Sequence, residues 1–160
     1  MFDRVAPRYD LLNHLGSGGQ DLRRRSAMAR RVEGARDELK IADIATGTAD
    51  QLIAMCRSCR RITHAVGIDM SHAMLEIGRK KLAGRGLDGQ ALLIHGDGMR
   101  LPLGNDTIDC VTITFGIRNM TDVARSLTEM CRVLRPGGRV LILEFVLPNN
   151  PIFRPFSLCH

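Results

Sequence analysis

Short apolar segments rich in β-branched residues alternate with segments of helical spacing, and this alternation constrains the fold more than any other feature of the sequence. We predict five strands, at Leu39–Ala45, Ala65–Asp69, Ala91–His95, Thr107–Thr114 and Arg139–Phe145. Helices are predicted between them, at Asp50–Arg60, Ser71–Ala83 and Asp122–Leu134. Such alternation is typical of βαβ units, because the connection between two parallel strands has to cross one face of the sheet. The sequence therefore predicts an α/β fold, with a mostly parallel sheet and helices on both faces.

The length of 160 residues fits one domain, and 44% hydrophobic residues are enough for one packed core. The first part of the chain has a helical pattern that is broken by the glycine-rich link Gly16–Gly19. We expect residues 1–33 to form a helical cover and residues 34–160 to form the α/β core.

Hydropathy and cysteine content exclude two classes of protein. The longest apolar stretch, Val140–Leu147, is too short to span a bilayer and contains Glu144. The first residues lack the apolar segment of a secretory signal, so we expect neither a transmembrane nor a secreted protein. The odd number of five cysteines indicates free thiols in a reducing compartment. Cys56 and Cys59 have the spacing of half a zinc site, but no second half follows, and we expect no bound metal.

The net charge of +6 comes from 23 basic against 17 acidic residues. Arginines are concentrated in the first helical segment, at 23–25 and 30–31, and near the end of the second, at Arg57, Arg60 and Arg61. Only 4% of the residues are aromatic, so platforms for stacking bases are scarce. A solvated basic helix face is therefore favoured over a nucleic-acid groove, and we expect no nucleic-acid partner. Attraction to an anionic membrane surface stays open as a third interpretation.

Acidic and small residues follow three successive strands, and ligands of open parallel sheets bind beyond such strand ends. Asp43 begins a turn through Gly47, and Asp69 follows about 20 residues further on, where a carboxylate accepts bonds from ribose hydroxyls. Asp97 and Gly98 follow the third strand, where a carboxylate would accept a bond from an adenine amino group. Each residue taken singly also has a structural interpretation, as tight packing, a turn or a helix cap. Together they predict a nucleoside site.

The first turn does not have the Gly-x-Gly-x-x-Gly pattern of dinucleotide-binding proteins. Ala49 and Leu52 stand where that pattern has its second and third glycines, and Asp50 adds a negative charge that would repel a pyrophosphate. A ligand with a cationic centre and no phosphate fits better. The sequence therefore favours S-adenosylmethionine over NAD, and an NAD-linked oxidoreductase is disfavoured.

Four segments carry a family resemblance, namely Asp43–Asp50, Gly67–Leu75, Asp109–Asn119 and Arg132–Phe145. In this order they resemble class I S-adenosylmethionine-dependent methyltransferases, and specifically the ubiquinone/menaquinone biosynthesis C-methyltransferases. The opening segment Phe2–Asn13 is similar to the start of that family. Phe115–Asn119 is the distinctive part, whereas the Pro-Gly-Gly sequence is shared by many methyltransferases.

The resemblance implies a Rossmann-like fold, S-adenosylmethionine as methyl donor, S-adenosylhomocysteine as product and a polyprenylated benzoquinol or naphthoquinol as acceptor. It implies catalytic roles for Arg118 and Asn119, which would face the quinol and assist removal of a proton. Tyr9, Asp10 and Asn13 would belong to the cover over the cofactor. The implied cofactor-binding residues are Asp43, Thr46, Gly47, Thr48, Asp69, Met70, Asp97, Gly98 and Thr114.

Two departures from the family pattern qualify this expectation. Ala49 replaces a usual glycine, which would cost roughly 1 kcal/mol if the position has a positive φ. The sequence also ends where the family continues with a helix and an antiparallel strand pair, so we expect a truncated sheet whose exposed edge favours a homodimer. Two alternatives stay open: a methyltransferase of another small molecule, and a fragment that binds S-adenosylmethionine without catalysis.

The implied substrate is a lipid, which bears on location. We expect a cytoplasmic protein, peripheral to the inner membrane, or a protein of an organelle matrix if the source is eukaryotic. The sequence does not distinguish benzoquinol from naphthoquinol.

Overall fold

The computed structural model describes residues 27–28, 31–32 and 37–144. The strands are β1 (Leu39–Ile44), β2 (Ile62–Asp69), β3 (Ala91–His95), β4 (Ile108–Thr114) and β5 (Leu134–Leu143). The helices are α1 (Asp50–Ser58), α2 (His72–Ala83) and α3 (Val123–Val133), with a 3₁₀ turn at Ile117–Asn119. The predicted cover residues Tyr9, Asp10 and Asn13 lie outside the described residues.

The five strands form one parallel sheet in the order β3-β2-β1-β4-β5. The chain moves outward from β1 through β2 to β3, and then crosses to the other side of β1 to add β4 and β5. The predicted α/β class and parallel sheet are confirmed. The strand order reverses between β1 and β4, which is where open α/β sheets bind ligands.

Helices cover both faces of the sheet, as predicted. One buried apolar cluster joins α1 and α2 to the sheet and includes Leu52 and Leu75. The other cluster lies under α3 and includes Met130 and Val133. Right-handed crossovers produce this arrangement, since the connections on the two sides of β1 run in opposite directions along the sheet.

Helix starts and strand limits refine the predicted boundaries. The Ser71 hydroxyl accepts the Met74 N–H at 3.3 Å and caps α2, as its sequence position predicted. Strand β2 begins three residues earlier than predicted, at Ile62, because Leu39 and Ile62 already pair. Strand β5 begins at Leu134, which pairs with Ile108 ahead of the predicted Pro-Gly-Gly turn.

The Pro-Gly-Gly turn itself lies in an irregularity of β5. Pairing with β4 skips from Leu134 to Arg139 while β4 advances only from Ile108 to Cys110. Gly137 has a φ of +81°, which favours glycine. A bulge at the start of β5 therefore takes the place of a turn before it.

A buried carboxylate ties three strands together at the amino ends of the strands. Arg135 Nη1 lies 3.0 Å from both carboxylate oxygens of Asp109, and the Lys40 N–H donates to Asp109 Oδ2 at 2.8 Å. Asp109 is 8% exposed. Because its oxygens accept bonds from β1 and from the bulge of β5, Asp109 fixes the register of these strands beside β4.

A second charged network holds the loop between β3 and β4. Arg132 donates to Glu129 and to the carbonyl oxygens of Leu101 and Leu103, at 2.7 to 3.1 Å. The Leu101 N–H donates to Glu129 Oε2 at 2.8 Å. These hydrogen bonds, from Arg132 above all, lower the pKa of Glu129 from 4.5 to about 2. The connection between β3 and β4 contains no helix, and this network of hydrogen bonds holds it in place instead.

Candidate active site

A cavity of about 180 Å³ opens at the carboxyl ends of the strands, beside the point where the strand order reverses. Its walls come from the residues that follow β1, β2, β3 and β4. The predicted residues that line it are Asp43, Thr46, Gly47, Thr48, Asp69, Met70, Gly98, Thr114 and Asn119. The structure therefore brings most of the predicted site residues to one place.

Asp43 forms the buried floor of the cavity, with 1% of its surface exposed. Its Oδ2 accepts the Thr46 hydroxyl at 2.8 Å, and its Oδ1 accepts the Thr112 hydroxyl at 2.5 Å. A buried carboxylate is costly unless hydrogen bonds compensate it. Here hydroxyl groups from the turn after β1 and from β4 supply this compensation and hold the carboxylate in one orientation.

Asp69 ends β2 and is held by backbone groups. The Gly47 N–H donates to its Oδ2 at 2.8 Å, and the Ser71 N–H donates to its Oδ1 at 2.9 Å. Each carboxylate oxygen has about two acceptor positions. One bond to each oxygen therefore fixes the carboxylate at the rim of the cavity and leaves acceptor capacity for a ligand.

The loops around the cavity contain an unusual number of left-handed residues. Gly47 has a φ of +56°, and the non-glycine residues Ala45, Ala49 and Phe115 have φ values of +52°, +65° and +56°. Left-handed backbone costs a residue with a Cβ roughly 1–2 kcal/mol. Such outliers persist where the surrounding structure imposes them, and they concentrate at functional sites.

Ala49 meets the condition under which the sequence predicted strain, because its φ is positive. Its methyl group, however, is fully buried, and a Cβ built on Gly78 of α2 would lie 3.3 Å from it. Ala49 does not line the cavity. The extra methyl group therefore faces the core and not the cavity.

Asp50 lines the cavity and has a cationic partner that the sequence pattern did not reveal. Lys81 of α2 lies 2.8 Å from Asp50 Oδ1 and donates to the Thr48 hydroxyl oxygen at 2.9 Å. This ion pair offsets the charge on which the sequence argument against a pyrophosphate rested. The missing glycines remain as the argument against a dinucleotide.

Asp97 differs from the other predicted acidic residues, since it does not line the cavity. Its Oδ1 accepts the Met99 N–H at 2.8 Å, which is the turn role that the sequence left open. Gly98 does line the cavity, and a Cβ there would lie 2.8 Å from the Met120 side chain. The glycine thus allows Met120 and Ile44 to pack closely beneath the site.

Arg118 and Asn119 form the 3₁₀ turn after β4, and their side chains have different surroundings. Asn119 lines the cavity. The Arg118 side chain is half exposed, does not line the cavity and forms an ion pair of 2.6 Å with Glu144, directly after β5. Arg118 therefore lies at the rim, and Glu144 is a partner that the sequence did not predict.

The side of the cavity formed by β4 contacts the amino-terminal part of the chain. The Thr114 hydroxyl lies 3.4 Å from the sulfur of Met28, which is 7% exposed. Residues 27–28 belong to the segment 1–33, for which a helical cover stays a prediction.

No histidine or cysteine among the described residues lines the cavity. His95 Nε2 lies 2.9 Å from the Met70 carbonyl oxygen, and its ring stacks on that of His72. Burial is the main cause that raises the pKa of Cys56 to about 11 and of Cys110 to about 12. Both thiols are protonated at neutral pH and are poor nucleophiles. No group of three potential metal ligands occurs among the residues that the structure describes.

Further lining residues were not singled out from the sequence, namely Ala45, Gln51, Ile68, Met74, Gly96, Phe115, Gly116 and Met120. Most of them adjoin a predicted residue in the sequence. Position directly after a strand was the signal that could have found Ala45, Gly96 and Phe115. No comparable signal marks Met120, which reaches the cavity through the 3₁₀ turn.

Comparison with known proteins decides the family. A model of the ubiE/COQ5 methyltransferase family matches residues 1–158. The chain belongs to this family. It is 43% identical over 157 residues to the ubiquinone/menaquinone biosynthesis C-methyltransferase UbiE of Geobacter sulfurreducens, a match that covers 96% of the chain. It is 44% identical over 154 residues to the demethylmenaquinone methyltransferase of Thermus thermophilus, again over 96% of the chain.

These relatives are longer than the present chain. The match spans 60% of the Geobacter protein and 68% of the Thermus protein. Among solved structures, a putative S-adenosylmethionine-dependent methyltransferase from Methanococcus maripaludis is similar, with a TM-score of 0.75 and 21% identity. That match covers 88% of this chain and 62% of the other, and it supports the Rossmann-like fold.

Proposed function

We propose that this chain binds S-adenosylmethionine and forms the donor site of a C-methyltransferase that acts on a polyprenylated benzoquinol or naphthoquinol. The cavity carries the proposal: the carboxylates of Asp43, Asp50 and Asp69 line it, and no described Lys, Arg or His does. An acidic cavity suits a ligand with a sulfonium and an ammonium group. Membership of the ubiE/COQ5 family supports the same donor.

Asp69 is the proposed ribose ligand. Its carboxylate is fixed by the N–H groups of Gly47 and Ser71, and its remaining acceptor positions suit two neighbouring hydroxyl groups. The apolar side chains of Ile68, Met70 and Met120 line the same cavity and would contact the adenine. Thr46, Thr48 and the buried Asp43 lie around the turn after β1, which would hold the amino-acid part.

Arg118 and Asn119 are the proposed acceptor side of the site. When bound, S-adenosylmethionine supplies an electrophilic methyl group on a positively charged sulfur. A quinol ring carbon becomes nucleophilic when the neighbouring hydroxyl loses its proton. Arg118 is not the base, because a guanidinium stays protonated, but it would stabilise the phenolate or hold a water that removes the proton. Glu144 would orient Arg118, and Asn119 would orient the acceptor oxygen.

Titration calorimetry tests the donor. We expect saturable binding of S-adenosylmethionine and S-adenosylhomocysteine by the 160-residue chain and no binding of NAD. If the chain bound neither S-adenosylmethionine nor S-adenosylhomocysteine, the proposal would be contradicted.

A methyl-transfer assay with a short-chain quinol tests the acceptor. Arg118→Ala should lower turnover about 10- to 100-fold and leave donor affinity within about twofold. Arg57→Ala, an exposed position at the end of α1, is the control and should change neither. Donor binding without methylation of any quinol would retain the donor site and reject the acceptor.

Two partner proposals follow from the surface. A lipid acceptor favours contact with a membrane. The exposed residues Arg57, Arg60 and Arg61, however, lie around the end of α1 and the start of β2. This is the side of the sheet where the strands begin, here called the amino edge, and it is opposite the cavity. A membrane attracted to these arginines would face away from the site, so we propose that the membrane contacts the cavity side. Among the described residues no helix is both long and apolar enough to cross a bilayer.

The homodimer is proposed through β5, the outer strand next to β4 in the described sheet. Ile142 of this strand is 47% exposed. Light scattering after size-exclusion chromatography should give twice the chain mass, and Ile142→Lys should restore the monomer. A monomeric wild-type chain at micromolar concentration would contradict the dimer.

A further inference from the structure

Helix α2 approaches the loop after β1 unusually closely, and one residue allows this. A Cβ on Gly78 would lie 2.7 Å from Leu93 and 3.3 Å from both Ala49 Cβ and the Thr48 backbone. Lys81 follows three residues later on the same face of α2. Its ammonium therefore reaches Asp50 at 2.8 Å and Thr48 at 2.9 Å from behind the cavity wall.

Lys81 differs from the residues around it because it contributes charge to the cavity without lining it. Its side chain is 21% exposed and that of Asp50 is 23% exposed, so water screens this pair only in part. The other two lining carboxylates, Asp43 and Asp69, have hydroxyl or backbone N–H donors among their described contacts. Lys81 is thus a described cation whose charge reaches the cavity through Asp50.

We propose that Lys81 determines how strongly the site distinguishes the positively charged methyl donor from its neutral product. The inference rests on the proposed function, in which the site takes S-adenosylmethionine and releases S-adenosylhomocysteine. These two ligands share the adenosine and the amino-acid part and differ in one methyl group and one positive charge at sulfur. Lys81 offsets the negative charge of Asp50. It thereby limits the preference of the site for the positively charged methyl donor over the neutral product.

A purely structural role for Lys81 would have a different signature. If Lys81 only fixes α2 against the loop, its loss weakens every ligand by the same factor. If it sets the potential, its loss changes the ratio of the two affinities, because only one ligand carries the extra charge. The ratio of the dissociation constants therefore separates the two roles.

The experiment compares variants of the full 160-residue chain by titration with S-adenosylmethionine and S-adenosylhomocysteine. For Lys81→Met we expect the preference for S-adenosylmethionine to rise about three- to tenfold. For Asp50→Asn, which leaves the lysine uncompensated, we expect a decrease of the same size. The double variant should return within about twofold of the wild type, since the pair is removed as a unit. Raised salt should shrink both shifts.

Matched controls complete the design. Lys80→Met removes the same charge from an exposed neighbour on α2 and should leave the ratio unchanged. Lys81→Arg should retain the wild-type ratio. An unchanged ratio in Lys81→Met overturns the inference, and if that variant does not fold, an unchanged ratio in Asp50→Asn does so. A wild-type chain that binds neither ligand instead rejects the proposed function, and the inference with it.

Discussion

Asp109 and Asp69 are carboxylates at opposite ends of the same sheet, and they are held in opposite ways. Asp109, at the amino end of β4, contacts the Arg135 guanidinium with both oxygens and accepts the Lys40 N–H. Asp69, at the carboxyl end of β2, accepts only backbone N–H groups in its described contacts. The first is neutralised by the protein itself, whereas the second keeps its charge and acceptor capacity.

The backbone around the two carboxylates differs in the same sense. Left-handed non-glycine residues surround the cavity at Ala45, Ala49 and Phe115. The irregularity beside Asp109 instead uses Gly137 for its positive φ. Of the four left-handed non-glycine residues among those described, three therefore lie around the cavity, and the fourth, Asp106, lies just before β4. The carboxyl ends of the strands thus retain more of the backbone strain that a ligand can use.

The largest expected effect is loss of stability at the amino edge. Asp109→Ala should lower the free energy of unfolding by about 3 kcal/mol, because Arg135 and the Lys40 N–H lose a nearly buried partner. Urea unfolding measures this, with the exposed Asp88→Ala as a control expected within about 0.5 kcal/mol of wild type. The affinity of the folded Asp109→Ala variant for S-adenosylmethionine should stay within about twofold of the wild-type value. A variant that loses affinity but no stability would erase the distinction between the two edges.

The reverse pattern is expected at the carboxyl edge. Asp69→Ala should weaken binding of S-adenosylmethionine about 30- to 100-fold, since two hydrogen bonds to a charged acceptor are lost. Its stability should fall by no more than about 1 kcal/mol, because water can reach the freed N–H groups. Calorimetric titration and urea unfolding of the same samples measure both quantities.

Asp97→Ala sharpens this result, because Asp97 has the same sequence context but does not line the cavity. We expect a loss of affinity below about fivefold, or about 1 kcal/mol, because Asp97 does not line the cavity. A loss as large as that of Asp69→Ala would show that Asp97 binds the adenine, as the family resemblance implies.

Acid should weaken the network that holds the loop between β3 and β4, through Glu129. Its pKa is lowered in the folded chain from 4.5 to about 2, so its contribution to stability is complete above pH 4.5 and is lost as the pH falls towards 2. We expect about 1–2 kcal/mol from this group after allowance for solvent screening. Urea unfolding between about pH 6 and about pH 3 should show a shallower pH dependence for Glu129→Gln than for wild type. Glu76→Gln, an exposed change of the same kind on α2, should leave the slope unaltered.

The smallest effect is expected for Ala49→Gly. Glycine relieves roughly 1 kcal/mol of left-handed strain, but it also removes a buried methyl group and adds freedom to the unfolded chain. Stability should therefore stay within about 1 kcal/mol, and donor affinity within about threefold, because the methyl group faces the core. Ala54→Gly within α1 makes the same chemical change in right-handed backbone and should cost about 1 kcal/mol. A large gain in donor affinity for Ala49→Gly would show that Ala49 obstructs the ligand.

Features local to a strand and its end were accessible from the sequence. The β-branched run Thr107–Thr114 identified a buried strand, and Asp43 and Asp69 were marked by their positions at the carboxyl ends of strands, where the structure places the cavity. The predicted start of β5 at Arg139 was wrong, because Leu134 already pairs with β4 before the Pro-Gly-Gly segment interrupts the register.

Contacts between distant side chains were not accessible in the same way. Lys81 meets Asp50, and Glu144 meets Arg118, only because separate elements pack side by side. No local pattern encodes such pairs, since many lysines and glutamates occupy similar exposed helix or strand ends. The sequence therefore predicted which residues lie at the site better than it predicted which partners fix their charge.

The hydrogen bond between Thr112 and Asp43 also has a consequence for the order of folding. It joins residues 69 positions apart, and β4 pairs with β1 on the side opposite β2 and β3. Contacts of such separation form late, because closing a long loop is entropically costly. The ribosome must therefore release the chain through β4 before the floor of the cavity exists. A ligand would bind after β4 has paired with β1 and would not template the earlier strands.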